Sequence, residues 1–392
     1  MSNVLRDSSL RQLLWMTLAL FFSYLAVAMS MPAVAVHVSH ALGMGNVASG
    51  LAVGIAFLST IFSRGWAGRL ADERGGKSSM FMGLGLYVLA ALLCLASSMP
   101  ALGAGAASYV ILLAGRLLLG LGESLALVGM LAWCMAMMGP ARSGHVMALV
   151  GMGMYGAFAA GGPLGLWLLQ HAGFGGLMAV CAALPLLGAL MLWRIAPVIP
   201  AQAGRRPPFA QVIGLIWKPG AVVGLQGIGF AALGVFFPLY FLANGWQGAG
   251  YGLTCFGVGF VAMRLLCGTL PDRVGGVPVA LASLLVEAIG QALLWLAPNP
   301  ATALAGALLT GMGCSMVFPA MGLEAVRRVP AHLRGTAIGG FAAFQDVAYG
   351  ATGPVAGWIA DYFGHAQVFL VGALAAVLGM VITLRLRKRP AA

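Results

Sequence analysis

Acidic side chains are scarce in this chain: nine Asp and Glu among 392 residues, with all charged residues together at 8%. A soluble domain carries about 25% charged residues, so a water-facing surface of ordinary size cannot be made from this composition. Cysteine is sparse as well. Cys94, Cys134, Cys181, Cys255, Cys267 and Cys314 stand singly, with no CxxC or other ligand-like spacing, which argues against a disulfide framework or a metal site. No GxxxxGK[ST] loop, HExxH or GxSxG occurs, so nucleotide, zincin and serine-hydrolase chemistry lack their usual signatures. The alternating apolar segments of about ten residues that build a membrane β-barrel are missing too.

What the chain has is apolar length. The hydrophobic share is 61% and the mean hydropathy +0.97, and apolar runs of roughly 20 residues match a 30 Å hydrocarbon core. Twelve are expected, over 12–36, 47–69, 78–98, 104–137, 144–169, 174–194, 213–243, 248–270, 278–297, 301–326, 335–361 and 366–386. Within lipid each backbone polar group must be satisfied inside its own segment, so these runs read as helices. The first follows Arg6 and Arg11 but exceeds a signal-peptide core in length, and it is read as an uncleaved helix.

The formal charge of +12 raises the question of a nucleic-acid partner. With twelve spans and the amino terminus inside, 20 of the 21 Lys and Arg fall in or beside cytoplasmic segments, and only Arg116 remains, inside the fourth span. The outer loops hold none. That asymmetry is the positive-inside pattern of a multi-pass membrane protein, and it implies a lipid bilayer around the chain and no nucleic acid. The expected location is a bacterial inner membrane with both termini cytoplasmic.

The two halves repeat one another. GRLADERGG at 68–76 returns as GTLPDRVGG at 268–276, an offset of 200, and GRLLLGLGES at 115–124 returns as GALLTGMGCS at 306–315, an offset of 191. GGPLG at 161–165 answers TGPVAG at 352–357, and Pro32 answers Pro238. Between the halves, 197–212 holds Pro197, Pro200, Pro207 and Pro208 beside Arg205 and Arg206, a linker composition. Residues 1–196 and 213–392 are therefore expected as two six-helix bundles, a parallel repeat with the solute site near midplane at its axis.

GRLADERGGK and its second copy resemble the cytoplasmic loop signature of the major facilitator superfamily, and RLLLGLG around Arg116 resembles that family's fourth-helix motif. GGPLG partly resembles the GP motif of its antiporters. RGWAGRLADERGG, GPARSG and AAFQDVAYGATGP resemble a bacterial YfcJ/YhhS-type branch, whose members are regarded as exporters of sugars or drugs. One departure is Glu73, which follows Asp72 where the family usually places Arg, with Arg74 displaced by one. The resemblance implies an all-α membrane protein, twelve transmembrane helices in two pseudo-symmetric bundles, and a secondary transporter rather than an enzyme. It implies a small-molecule substrate, a monomer, and no cofactor beyond a proton gradient.

Candidate residues follow from cost and pattern. A charge at membrane depth costs at least about 2.5 to 3.5 kcal/mol and normally faces a cavity. Arg116 and Glu123 share a face of span 4 but stand about 10 Å apart along the axis, so a direct pair is not assumed. Arg116 reads either as a substrate or proton-linkage group or as a structural pairing. Glu123 is the first candidate for a protonatable coupling site and Asp346 the second, because burial favours a neutral carboxyl whereas a guanidinium favours the ionised one, and the two can balance near neutral pH. Gln345, Asp346 and Tyr349 form a stripe on span 11. Glu287 and Gln291 on span 9 read as packing groups, since the resembled fold puts that helix at the periphery.

Tyr24, Gln226 and Tyr240 are candidate cavity residues in that fold. Gly68, Asp72 and Arg74 in one loop, with Gly268, Asp272 and Arg273 in the other, are candidate gating residues: a carboxylate at a helix amino terminus gains about 0.3 to 2 kcal/mol. The resembled fold would place Asp72 near Arg334 and Asp272 near Arg142. Gly162, Pro163, Gly353 and Pro354 mark smooth, kinked helix faces, which suit rocking and tight packing equally.

Overall fold

The computed structural model describes residues 8–99, 105–139, 143–198, 210–330 and 334–387. Every long apolar run is a helix, and no strand occurs among the described residues. Helix α1 (Ser8–Val36) runs into a π-helical turn at His37–Ala41, followed by α2 (Asn46–Arg74), α3 (Gly76–Ala96) and α4 (Ala106–Met138). Helix α5 (Ser143–Leu192) breaks at Gly173, where φ is 67°, and so supplies the fifth and sixth expected spans. Then come α6 (Ala210–Ala243), α7 (Tyr251–Cys267), the short α8 (Leu270–Val274), α9 (Gly276–Trp295), α10 (Pro300–Arg327), α11 (Arg334–Phe363) and α12 (His365–Arg387).

Among the described residues nine helices are long and apolar enough to cross a membrane, α5 counting once, with α7 a shorter apolar helix. Helix α11 falls outside the nine because Gln345 and Asp346 interrupt its apolar run. The eighth span stops at Cys267, three residues before the expected end, while its repeat α2 continues unbroken. Pro271 replaces Ala71 of the first repeat. It has no N–H for the carbonyl four residues back, and the helix restarts as α8.

Backbone geometry carries the duplication further than the sequence identities do. Gly75 has φ 85° and ψ 154°, and Gly275 has φ 98° and ψ 155°. Positive φ at both places requires Gly, so each copy of the loop motif turns the chain into the next helix identically. Gly76, Gly83 and Gly115 seat α3 against α4 in the first repeat, as Gly276, Gly290 and Gly306 seat α9 against α10 in the second. Gly120 lies against the Ala56 carbonyl, and its counterpart Gly311 against the Phe256 carbonyl.

A methyl group at Gly120 has no room, whereas one at Gly85 meets nothing within 4 Å. Gly120→Ala is therefore expected to destabilise by about 1 to 3 kcal/mol, and Gly85→Ala to leave stability unchanged or slightly raised. Thermal unfolding of the purified variants compares them. Equal midpoints would mean that the α2–α4 contact does not govern stability.

The chain divides into two compact units, Met1–Ala33 with Ile55–Gly204, and Val34–Gly54 with Arg205–Ala392. In the first, α3 packs on α4 and α5, and Ala28 and Met29 of α1 meet Gly161 and Gly165 of α5. In the second, α6, α9, α10 and α12 enclose an aliphatic core that includes Val223, Leu284, Val317 and Met321. The segment Val34–Gly54, which the duplication assigns to the first repeat, belongs to the second unit. The reason is close contact with α11: Gly50 meets Gly353, Gly54 meets Gly350, and Gly357 meets Asn46. Asp361 completes it by accepting from the Asn46 N–H at 3.1 Å, the Asn46 side-chain amide at 2.8 Å and the Val47 N–H at 3.3 Å. That carboxylate satisfies two of the orphan donors at the start of α2.

Candidate functional site

In the first unit the polar side chains gather between α1, α3 and α4. Arg116 is 2% exposed, and its Nη1 donates to Ser30 Oγ at 3.0 Å. Beside it lies a cavity of about 20 Å³ bounded by Ser30, Tyr87, Cys94, Arg116 and Cys181 among others, room for about one water. Glu123 is half-buried two turns along α4, and the Tyr24 hydroxyl donates to its Oε1 at 3.1 Å. Arg116 and Glu123 act on one another electrostatically, and Tyr87 feels both. Arg64 on α2 adds a second positive charge acting on Tyr24.

Tyr24 and Glu123, proposed separately from the sequence, thus form one hydrogen-bonded pair in the same unit as Arg116. Ser30, Arg64 and Tyr87 were not singled out. Tyr87 was within reach, since the offset of 200 maps it onto Glu287, so a carboxylate in one copy marks a polar position in the other. Ser30 had no signal: one hydroxyl in an apolar helix is commonplace.

In the second unit, Gln345 Nε2 donates to Gln226 Oε1 at 3.3 Å. Tyr349, one turn on, rests over Gly227 with its ring 5.2 Å from that of Phe230. Of the expected stripe on α11, Gln345 and Tyr349 face α6. Asp346 is 6% exposed. Tyr240 stands apart from this group, in an aromatic cluster with Phe241, Trp246 and Phe369, its hydroxyl 3.5 Å from the Ala297 carbonyl.

Gln291 on α9 is fully buried, and its Nε2 reaches the Gly229 carbonyl and Thr310 Oγ1, both at 3.3 Å. Glu287, one turn earlier, is fully buried too. Although α9 is expected at the periphery, this face of it points into the core against α6 and α10.

The candidate gating residues sit at helix ends. Gly68 is buried within α2, Asp72 is half-buried in its last turn, and Arg74 is its exposed final residue. In the second copy Gly268 lies in the exposed turn before α8, on which Asp272 and Arg273 are both exposed. Arg142 and the side chain of Arg334 lie outside the described residues, as does most of the linker. Lys77, next to the first loop, donates to the Trp193 and Ile195 carbonyls at 2.9 and 2.7 Å, satisfying acceptors at the end of α5. Gly162 is buried and Pro163 interrupts the hydrogen bonding of α5 from inside the helix. Gly353 and Pro354 lie against the α2 segment, Gly353 on Gly50 and Pro354 near both Gly50 and Gly54.

Among the described residues no group of His, Cys, Asp and Glu could hold a metal ion. The arrangement offers a buried cation, carboxyls whose protonation can change, and amide and phenol hydrogen bonds, all on membrane-length helices. It suits binding and release of a solute or proton.

Comparison with known proteins identifies the family. A family model described as Major Facilitator Superfamily matches residues 16–252 and again 220–392. An uncharacterized MFS-type transporter of Salmonella typhimurium is 42% identical over 364 residues, 93% of each chain. Another from Burkholderia pseudomallei is 37% identical over 372 residues, 95% of this chain and 91% of that one. Two solved structures share the fold. The nucleoside transporter NupG has a TM-score of 0.79 at 12% identity, covering 96% of this chain and all of that one. The human organic anion transporter MFSD10 has a TM-score of 0.69 at 15% identity, with the same coverage. Its relatives being transporters and not enzymes, and its apolar helices long enough to span a bilayer many times, the chain is a multi-pass membrane transporter of the Major Facilitator Superfamily.

Proposed function

We propose that this transporter exports a small organic solute, sugar-like or drug-like, in exchange for protons, by alternating access between the two faces of a bacterial inner membrane. The observation that carries the reading is the 3.1 Å hydrogen bond from Tyr24 to Glu123 in the electrostatic reach of the buried Arg116. A carboxyl that accepts from a phenol and feels a buried guanidinium can change its protonation state when a shift of one helix alters those surroundings. The driving force is adequate: about 150 mV acting on one proton is worth ~3.5 kcal/mol, enough for roughly two to three decades of solute gradient. Gln226, Gln345, Asp346 and Tyr240 are the solute-facing candidates of the second half, and the loops holding Asp72 and Asp272 bias opening at the cytoplasmic ends.

Reconstitution into liposomes with an imposed pH gradient tests the reading. Nucleosides and organic anions, suggested by the names of the two structural neighbours, belong in the screen beside sugars and lipophilic cations. Flux that is independent of the pH gradient for every transported solute would dismiss proton exchange, and co-directional movement of proton and solute would replace export with proton-driven import.

The orientation has its own test. Cysteines placed at Ser39 and Asn299 are expected to react with an impermeant thiol reagent added to intact cells, and one at Gln202 is not. Labelling at 202 from outside would reverse the proposed topology.

A further inference from the structure

Glu287 places a carboxyl in the apolar interior of the second unit. It is fully buried on α9, and neither carboxyl oxygen has a hydrogen-bond partner among the described residues. A buried carboxylate without a partner is strongly unfavourable, and Glu287 has no cation beside it among the described residues. From α6 it faces Gly229, whose missing side chain leaves room for Oε1, and from α10 it faces Gly313 and the Cys314 thiol. Gln291, between Glu287 and the Gly372 backbone of α12, is neutral. Among the described residues, Cys314 is therefore the one titratable group these neighbouring helices set against it.

The duplication gives this placement a meaning. On the offset of 200 Glu287 stands where the first repeat has Tyr87, and on the offset of 191 Cys314 stands where it has Glu123. Tyr87 and Glu123 act on one another between α3 and α4, as Glu287 and Cys314 do between α9 and α10. Each unit thus carries one carboxyl at the same helix–helix contact, on opposite partners. The second contact also leads toward the solute-facing candidates, because the Cys314 thiol interacts with Gln226, which accepts from Gln345.

We propose that Glu287 is the proton-binding carboxyl of the second repeat: a neutral acid in this conformation, set beside Cys314, which releases its proton to water when a solute rearranges Gln226 and Gln345. The coupling half of this statement rests on the proton-exchange reading above. The proton-binding half does not, and it is tested without transport.

Unfolding exposes Glu287 to water, where above about pH 5 it ionises. If the folded protein holds the proton, the native state carries one more proton than the unfolded one, and stability falls as pH rises. The unfolding constant of the wild type should then grow about tenfold per pH unit relative to Glu287→Gln, until the folded carboxyl itself ionises. Thermal or denaturant unfolding of both proteins across neutral and alkaline pH reads that difference. Parallel curves would overturn the proposal.

Should Glu287→Gln fail to fold, infrared spectra of Glu123→Gln/Asp346→Asn supply the answer. A protonated-carboxyl stretch surviving at about pH 8 and shifting in heavy water supports the proposal, since carboxyls in water are ionised there. Absence of that band overturns it. Proton-independent flux, by contrast, would remove the coupling reading and leave Glu287's proton untouched.

Discussion

Glu123→Gln is expected to abolish accumulation of solute against its gradient, a loss of the whole two to three decades that about 150 mV on one proton sustains, while downhill exchange continues. The amide keeps the shape of the carboxyl and still accepts the Tyr24 hydroxyl that now bonds Oε1 at 3.1 Å. What it loses is the ability to bind and release a proton. Binding and the conformational cycle should therefore survive, and only their linkage to pH disappears. Counterflow of labelled solute at equal pH, compared with pH-driven uptake in the same liposomes, separates the two. Uphill transport by Glu123→Gln with the wild-type pH dependence would move the coupling role to Asp346 or Glu287.

Arg116→Ala is expected to be the most destabilising substitution in the first unit, by about 3 to 5 kcal/mol. The guanidinium is 2% exposed, donates to Ser30 and acts on Glu123, so its removal leaves a nearby carboxyl without its compensating charge in an apolar surrounding. Adding Glu123→Gln removes that stranded charge. The double variant should accordingly lose less stability than the sum of the two, with an interaction of about 0.5 to 3 kcal/mol. Denaturant unfolding of the four proteins gives the cycle directly, and strict additivity would mean that the two side chains work independently.

The sequence made the helices legible because twenty-residue apolar runs admit one structure in lipid. It also exposed the repeat, whose glycine pairs proved to be the seats of helix contacts. Gly120 and Gly311 were visible as a shared motif, but only coordinates reveal that a carbonyl from another helix occupies the space beside each. Local chemistry explains one miss, where Pro271 ends α7 early. Long-range pairing explains the others. Nothing near Glu123 in the chain points to Tyr24, 99 residues away, and nothing near Asp361 points to Asn46, 315 away. Glu287 was discounted because α9 was expected at the periphery, although a helix can face lipid on one side and bury a carboxyl on the other.

The central claim, proton exchange for solute, is tested most directly by following the internal pH of liposomes holding the purified protein when a transported solute is added outside without any imposed gradient. The account predicts that entering solute drives protons out, so that the lumen becomes alkaline in the wild type and stays unchanged in Glu123→Gln. Solute entry with no change in lumenal pH in the wild type, or with acidification, would contradict it.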